Sequence, residues 1–356
     1  MKTATGTEAV VPPEDPALRF IRLELAPSPQ RWIAALGFTG LALIGVLATV
    51  TFRIPYPVLV FAGILLLTVP PAHRPFYQAV EVTGAAFLGA AFAILLAVTT
   101  YDQPWLYLPL QCAALTALLV LSRITAARAA FILAALLLSF AEPAYLPDPE
   151  AAIGAALLNA LALAGTAWVV ATARALFAPP ASREEAPVPP GRRELAGLAI
   201  LALTTIGVQM LFYNTINLPE IRTGVINALL TADPDLRGVW RRMPLRQLCA
   251  AGCAALALLM IAVGAPLMED LGFFAMIAAG CYFAVGWVAH GSPRIAVAGG
   301  PGAITVTLVL LPDVRFMTDI VPSLLNVAGV FWGMFVTAII ALLLAPVVKQ
   351  RAARQA

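Results

Sequence analysis

One short apolar stretch, NLPEIRTGVINALLTADPDLRGVW at residues 217–240, carries an unusual set of polar side chains. Glu220, Thr223, Asn227 and Thr231 are separated by steps of three and four, so on a helix they share one face. Arg222 lies beside that stripe. A guanidinium pairs with a planar carboxylate through two parallel hydrogen bonds. A carboxyl held away from water keeps its proton to higher pH, and so can carry one. Arg222 as an anion contact and Glu220 as a proton carrier, with Thr223, Asn227 and Thr231 as hydrogen-bonding groups, would suit a small organic acid. Gln209 and Asn214, one segment earlier, add two amides, and Arg53 is a second candidate anion contact. Glu81 is a second acid within an apolar run, open to a proton-coupling role. Each residue also has a plainer reading. Glu220 and Arg222 can be a solvated interfacial pair, Arg53 an interfacial anchor, and Glu81 a partner for Arg74. Asp233 and Asp235, beside Arg237, Arg241 and Arg242, read as a loop charge cluster or as a gate.

The elements that must position these groups are membrane helices. The 356 residues are 61% hydrophobic and 12% charged, and the mean hydropathy is +0.89. Soluble domains run at about 25% charged, and repeated apolar runs of about 18 residues or more read as membrane spans. The runs are continuous rather than alternating, which argues against a β-barrel. The spacing of charges and Pro/Gly breaks predicts twelve segments: 32–52, 57–71, 78–100, 104–121, 124–141, 151–177, 195–215, 219–232, 243–264, 267–288, 294–311 and 320–347. The second and eighth are short, barely crossing a hydrocarbon core of about 30 Å. The first 28 residues are polar and Pro-rich and lack a signal-peptide core. ALRFIRLEL within them reads either as an amphipathic surface helix or as part of a loose tail.

Charge sets the expected topology. With the N-terminus inside, the cytoplasmic ends and loops hold nineteen of the 22 Lys and Arg residues, leaving Arg53, Arg222 and Arg315 on the other side. That is the positive-inside pattern, with both termini cytoplasmic. It also accounts for the net charge of +3 without any nucleic-acid partner. The four cysteines, Cys112, Cys249, Cys253 and Cys281, sit in apolar runs and read as packing residues. Neither a metal-ligand spacing nor a cofactor motif accompanies them. His73 and His290 stand near predicted helix ends, far from any Ser/His/Asp grouping, so an enzyme is not expected.

The chain repeats itself. IPYPVLVFAGILLLTVPPAHRPFY (54–77) parallels LPEIRTGVINALLTADPDLRGVW (218–240), with Thr68 against Thr231, Pro71 against Pro234 and Arg74 against Arg237. VEVTGAAFLGAAFAILLAV parallels PLRQLCAAGCAALALLMIAV, and SRITAARAAFILAALLL resembles GSPRIAVAGGPGAITVTLVLL. The expected fold is therefore an all-α polytopic membrane protein of about twelve transmembrane helices, in two parallel six-helix repeats offset by roughly 163 residues. The divisions are a tail at 1–28, a first repeat at 29–177, a Pro-rich linker at 178–194, a second repeat at 195–347 and a tail at 348–356. An even number of spans per copy puts the pseudo-twofold axis along the membrane normal, with the path between the copies. The asymmetry matters for function: Tyr56 and Val58 stand in the first copy where Glu220 and Arg222 stand in the second.

The stretches IPYPVLVFAGILLLTVPP, LPEIRTGVINALLTADPDLRG and GSPRIAVAGG, in this doubled order, resemble the fusaric acid resistance / aromatic acid exporter (FUSC) family over roughly residues 28–347. The large soluble domain that many members carry between the two units is replaced here by the 178–194 linker. The family's Arg-x-x-Gly at the third helix is weak, as Glu81-Val-Thr-Gly84 and Arg246-Gln-Leu-Cys249. The resemblance implies a bacterial inner-membrane efflux transporter for aromatic or other organic acids, driven by protons. It also implies a periplasmic adaptor (membrane fusion) protein and, through distant relatives, a homodimer or a passive organic-anion channel. A major-facilitator transporter is the other twelve-span alternative, but VPPAHRPFYQ lacks that fold's Gly/Asp/Arg-rich loop.

Overall fold

The computed structural model describes residues 24–69, 74–100, 103–140, 149–177, 190–216, 223–264, 270–311 and 321–353. Thirteen α-helices occur among them. The first six are α1 (Pro29–Phe52), α2 (Pro57–Thr68), α3 (Pro75–Thr100), α4 (Pro104–Ile124), α5 (Arg128–Ser139) and α6 (Pro149–Phe177). The rest are α7 (Arg192–Ile216), α8 (Thr223–Thr231), α9 (Leu236–Gly264), α10 (Leu271–Ala289), α11 (Pro293–Ala296), α12 (Gly299–Leu310) and α13 (Val321–Ala353).

Eight helices, α1, α3, α4, α6, α7, α9, α10 and α13, are long and apolar enough to cross a membrane. Each buries half or less of its membrane-length window inside the protein, between 28% and 50%. Their outer faces expose Ile33, Leu36, Phe92, Leu161, Leu211, Leu259 and Leu343. Such a surface suits lipid, where a helix satisfies its own backbone. The short helices behave oppositely. Ten of twelve residues in α2, nine of twelve in α5, eight of nine in α8 and eleven of twelve in α12 are buried. A helix that is apolar all round belongs inside. The eight long helices therefore form a wall around four short ones.

Two segments differ from the sequence reading. The runs 124–141 and 294–311 do not form single long spans. The first breaks because Thr125 is extended (φ −109°, ψ 155°), and α5 restarts at Arg128. The second is divided between the one-turn α11, which opens at Pro293 after Ser292, and α12, which restarts at Gly299 after Val297 and Ala298. The second and eighth segments do form short helices. A twelve-residue helix spans only about 18 Å.

A helix that ends inside apolar surroundings leaves its last carbonyls without partners. Each short helix is closed by a side chain from a neighbour. The Arg174 guanidinium on α6 donates to the Leu67 carbonyl of α2. Gln111 Nε2 on α4 donates to the Leu138 carbonyl of α5 at 3.0 Å. Arg246 Nη1 on α9 donates to the Thr231 carbonyl of α8 at 3.2 Å. Ser323 Oγ on α13 donates to the Val309 carbonyl of α12 at 3.2 Å. Gln111→Leu should destabilise the protein by about 1–2 kcal/mol, since a buried carbonyl then loses its donor. Thermal unfolding of the purified protein measures this, and an unchanged midpoint would refute the capping role.

The two halves of the chain interlock. The long helix α1 packs on α10 and α7 packs on α4, while the short helix α2 packs on α12 and α8 on α5. At the α1–α10 contact Arg31 Nε donates to the Trp287 carbonyl at 2.8 Å, and its guanidinium lies 4.7 Å from the Trp287 ring centre. At the centre, Tyr282 of α10 stacks on Phe61 of α2 with ring centres 4.7 Å apart and donates to, or accepts from, Thr307 of α12 at 3.0 Å. Cys249 and Cys253 share a face of α9, as their spacing predicts, with sulfurs 4.0 Å apart and no disulfide.

Candidate functional site

The stripe read on α8 is buried between α7 and α13 rather than facing an open cavity. Thr223, Asn227 and Thr231 are 5%, 0% and 1% exposed. Thr223 Oγ1 donates to the Asn326 carbonyl of α13 at 3.0 Å. Asn227 Nδ2 donates to the Thr223 carbonyl of its own helix at 3.1 Å, and its Oδ1 has no partner. Gln209 of α7 joins them. Both of its amide atoms are buried without hydrogen bonds, and its Oε1 reaches the side of Gly224 where a Cβ would stand.

Three further groups belong to this seam. Thr205 lies one turn before Gln209, fully buried, with its hydroxyl unpaired. Trp332 of α13 stacks on Phe212 of α7 at 4.6 Å between ring centres, with its indole Nε1 buried and unpaired. Gly329 and Gly333 of α13 let α8 approach at backbone distance. A Cβ on Gly333 would lie 2.5 Å from the Gly224 Cα and nearer still to its carbonyl oxygen. The sequence carries signals for two of these. Thr205 stands four residues before Gln209, and Gly329-x-x-x-Gly333 is the small-residue spacing of close membrane-helix contacts.

Among the described residues the seam thus holds six buried polar atoms with no protein partner: Thr205 Oγ1, Gln209 Oε1 and Nε2, Asn227 Oδ1, Thr231 Oγ1 and Trp332 Nε1. Leaving a buried polar atom unpaired costs about 1–3 kcal/mol, so native proteins seldom cluster them. The first half has unpaired buried atoms of its own, at Thr49 Oγ1, Thr116 Oγ1 and Asn159 Oδ1 among others, but not at the positions that match this seam. Counting back 163 residues, the offset that sets Thr231 on Thr68, the positions of Thr205, Gln209, Thr223 and Asn227 hold Ala42, Val46, Val60 and Ile64. Between α1, α2 and α6 that half has an apolar cavity of about 340 Å³, lined by Leu41, Gly45, Val60, Ile64, Leu161 and Ala162 among others.

The remaining sequence candidates lie elsewhere. Glu220 and Arg222 fall outside the described residues. Asn214 is on α7, with its side chain outside that description. Arg53 is exposed at the end of α1, where it takes the left-handed C-cap conformation (φ 49°, ψ 50°) beside the apolar cavity. Positive φ is uncommon for a residue with a Cβ. Glu81 is half-buried on α3, outside the α7–α8–α13 seam, and makes no ion pair with Arg74 among the described residues. Sequence and structure searches return no matching protein family, no matching curated protein and no matching solved structure.

Proposed function

We propose that this protein exports organic acids, aromatic carboxylic acids among them, across a bacterial inner membrane in exchange for protons. The observation that carries this reading is the buried seam of unpaired amides and hydroxyls on α7, α8 and α13. A path for a polar solute through a membrane protein must line irregular, polar surface away from lipid. Gln209, Asn227, Thr223, Thr231 and Asn214 supply hydrogen bonds, Arg222 and Arg53 contact the carboxylate, and Glu220 and Glu81 carry protons. The resemblance to the aromatic acid exporters supports the choice of solute, and with it an adaptor protein and a homodimer.

The reading also takes the chain as two six-helix copies around a pseudo-twofold axis along the membrane normal, with both termini cytoplasmic. Helix lengths support this, running long, short, long, long, short, long in each half, with the one-turn α11 added in the second. So do the reciprocal packings of α1 with α10 and α7 with α4, and of α2 with α12 and α8 with α5. In this frame one copy keeps an apolar groove and the other carries the site.

Efflux from cells tests the proposal. Cells expressing the protein should accumulate less radiolabelled aromatic acid than control cells, and a protonophore should abolish the difference. Arg222→Ala and Glu220→Gln should fail to export while still reaching the membrane. Export that survives the protonophore would point to a passive channel. Export by both variants would remove Arg222 and Glu220 from the site.

A further inference from the structure

Arginine concentrates where α8 ends. Arg123 closes α4, Arg128 opens α5, and Arg242 and Arg246 lie one turn apart on α9. Arg123 Nη2 donates to the Ala232 carbonyl at 2.8 Å, joining the two halves of the chain. Arg246 Nη1 donates to Thr231, and its Nε to the Val297 carbonyl at 3.3 Å. The four charges act on one another: Arg123 is repelled by Arg128, Arg242 and Arg246, and Arg246 by Arg242. Asp233 is the acid set against them. Its Oδ2 is 3.6 Å from Arg242 Nη1, and it also attracts Arg123, Arg128 and Arg246. Asp235, whose carboxylate lies with the Arg242 guanidinium beside Gly238, is the second acid there, so four positive charges meet two carboxylates, of which Asp233 alone acts on Arg123, Arg128 and Arg246.

Capping of α8 explains part of this cluster. Cations belong at a helix C-terminus, and Arg123 and Arg246 bond the carbonyls there. It does not explain the rest. Arg123 Nε is buried without a partner. Arg128 has no hydrogen-bond or ion-pair partner among the described residues, and Ala127 gives α5 no side-chain cap, so its free N–H groups add to the positive field. Thr231, 1% exposed and at the same helix end, has an unpaired hydroxyl. Arg246 itself is only 8% exposed. Arg246 is the buried member and Arg123 is half-buried, while Arg128 and Arg242 open to solvent, so the cost of a cation short of counter-charge falls on Arg246 and Arg123 and is relieved when an anion joins them. Nor is the cluster a requirement of the fold. At the 163-residue offset Arg242 and Arg246 fall on Ala79 and Thr83, the motif match sets Arg246 on Glu81, and α12 opens with Gly299 where α5 opens with Arg128, so none of the three arginines has an arginine counterpart.

We propose that Arg123, Arg128, Arg242 and Arg246 form a carboxylate-binding site at the inner end of the α8 seam, with Asp233 as a built-in competitor that an incoming acid displaces. This rests on the export reading above and names where the acid first binds. A carboxylate is favoured over a lipid phosphate by two observations. The anion already in contact with the cluster is a carboxylate, Asp233. The cluster also surrounds the ends of α5 and α8, two of the buried short helices, rather than the outer wall.

Equilibrium binding of radiolabelled benzoate to the purified full-length protein tests this, in nanodiscs of phosphatidylcholine with or without phosphatidylglycerol. Arg128→Gln and Arg242→Gln leave the α8 carbonyl caps in place, and each should weaken binding about tenfold, the loss of one charge-assisted contact. Asp233→Asn should strengthen it about three-fold or more. Phosphatidylglycerol should leave benzoate binding unchanged. The proposal is overturned if wild type binds no benzoate, if both arginine variants bind as wild type does, or if Asp233→Asn weakens binding. Loss of benzoate binding in phosphatidylglycerol would assign the cluster to a lipid headgroup instead. Binding is read separately from transport, so the two ideas fail separately. Unaltered benzoate export by the arginine variants would sink this site and leave the exporter standing. Benzoate binding that tracks the arginines, without any flux, would do the reverse.

Discussion

Asn227→Leu is expected to make the protein more stable and at least tenfold slower at moving acid. Asn227 is fully buried, its Oδ1 is unpaired, and its Nδ2 bonds only to a carbonyl of its own helix. Replacing an unsatisfied buried amide by an apolar side chain of similar shape removes a desolvation penalty of about 1–3 kcal/mol. The first half of the chain has Ile64 at the corresponding place, so an aliphatic side chain is compatible with this helix packing. Transport should respond in the opposite sense. A hydrogen bond to a charged partner contributes about 1.5–3 kcal/mol, and about 1.4 kcal/mol is tenfold. Gln209→Leu should behave alike. A purely structural role for the seam predicts the contrary, lower stability with unchanged flux, and thermal unfolding beside transport assays separates the two.

The second large effect is steric. Gly333→Ala should destabilise the protein by about 3 kcal/mol, the upper end of what overpacking costs. The added Cβ would lie 2.5 Å from the Gly224 Cα and 2.7 Å from its carbonyl carbon. Both are backbone atoms, so no side chain can rotate aside and α8 must shift from α13. Gly252→Ala on α9 is the matched control. Its Cβ would meet nothing within 4 Å, and alanine favours the helix over glycine by about 1 kcal/mol. If Gly333→Ala melts like Gly252→Ala, the close approach of α8 and α13 is wrong.

These contrasts indicate what the sequence can and cannot tell. The long apolar helices were legible because continuous hydrophobic runs have one meaning in composition. The shortness of α2 and α8 was legible from Pro57 and from the charges around 231–237. The shortness of α5 and α12 was not. Leu133 to Leu138 and Thr305 to Leu310 are as apolar as any span, and the breaks depend on Thr125 being extended and on the helix ending at Ala296 and restarting at Gly299. For the site, the i, i+4, i+8 spacing of Thr223, Asn227 and Thr231 marks one face of a helix. Spacing alone does not say what that face meets. Gly329 and Gly333 close it against α13, and this is a tertiary fact. The convergence of Arg123 and Arg128 with Arg242 and Arg246 was hidden for the same reason. More than a hundred residues separate the pairs, and only the packing of α8 against α5 unites them.

Proton-coupled export is decided by benzoate flux in liposomes containing only the purified protein, with and without an imposed proton gradient. Benzoate should move against its own gradient when protons run the other way, and that movement should be lost on collapsing the proton gradient and fall at least tenfold in Asn227→Leu. Benzoate movement no faster than in protein-free liposomes, or flux indifferent to both the gradient and Asn227, would contradict it.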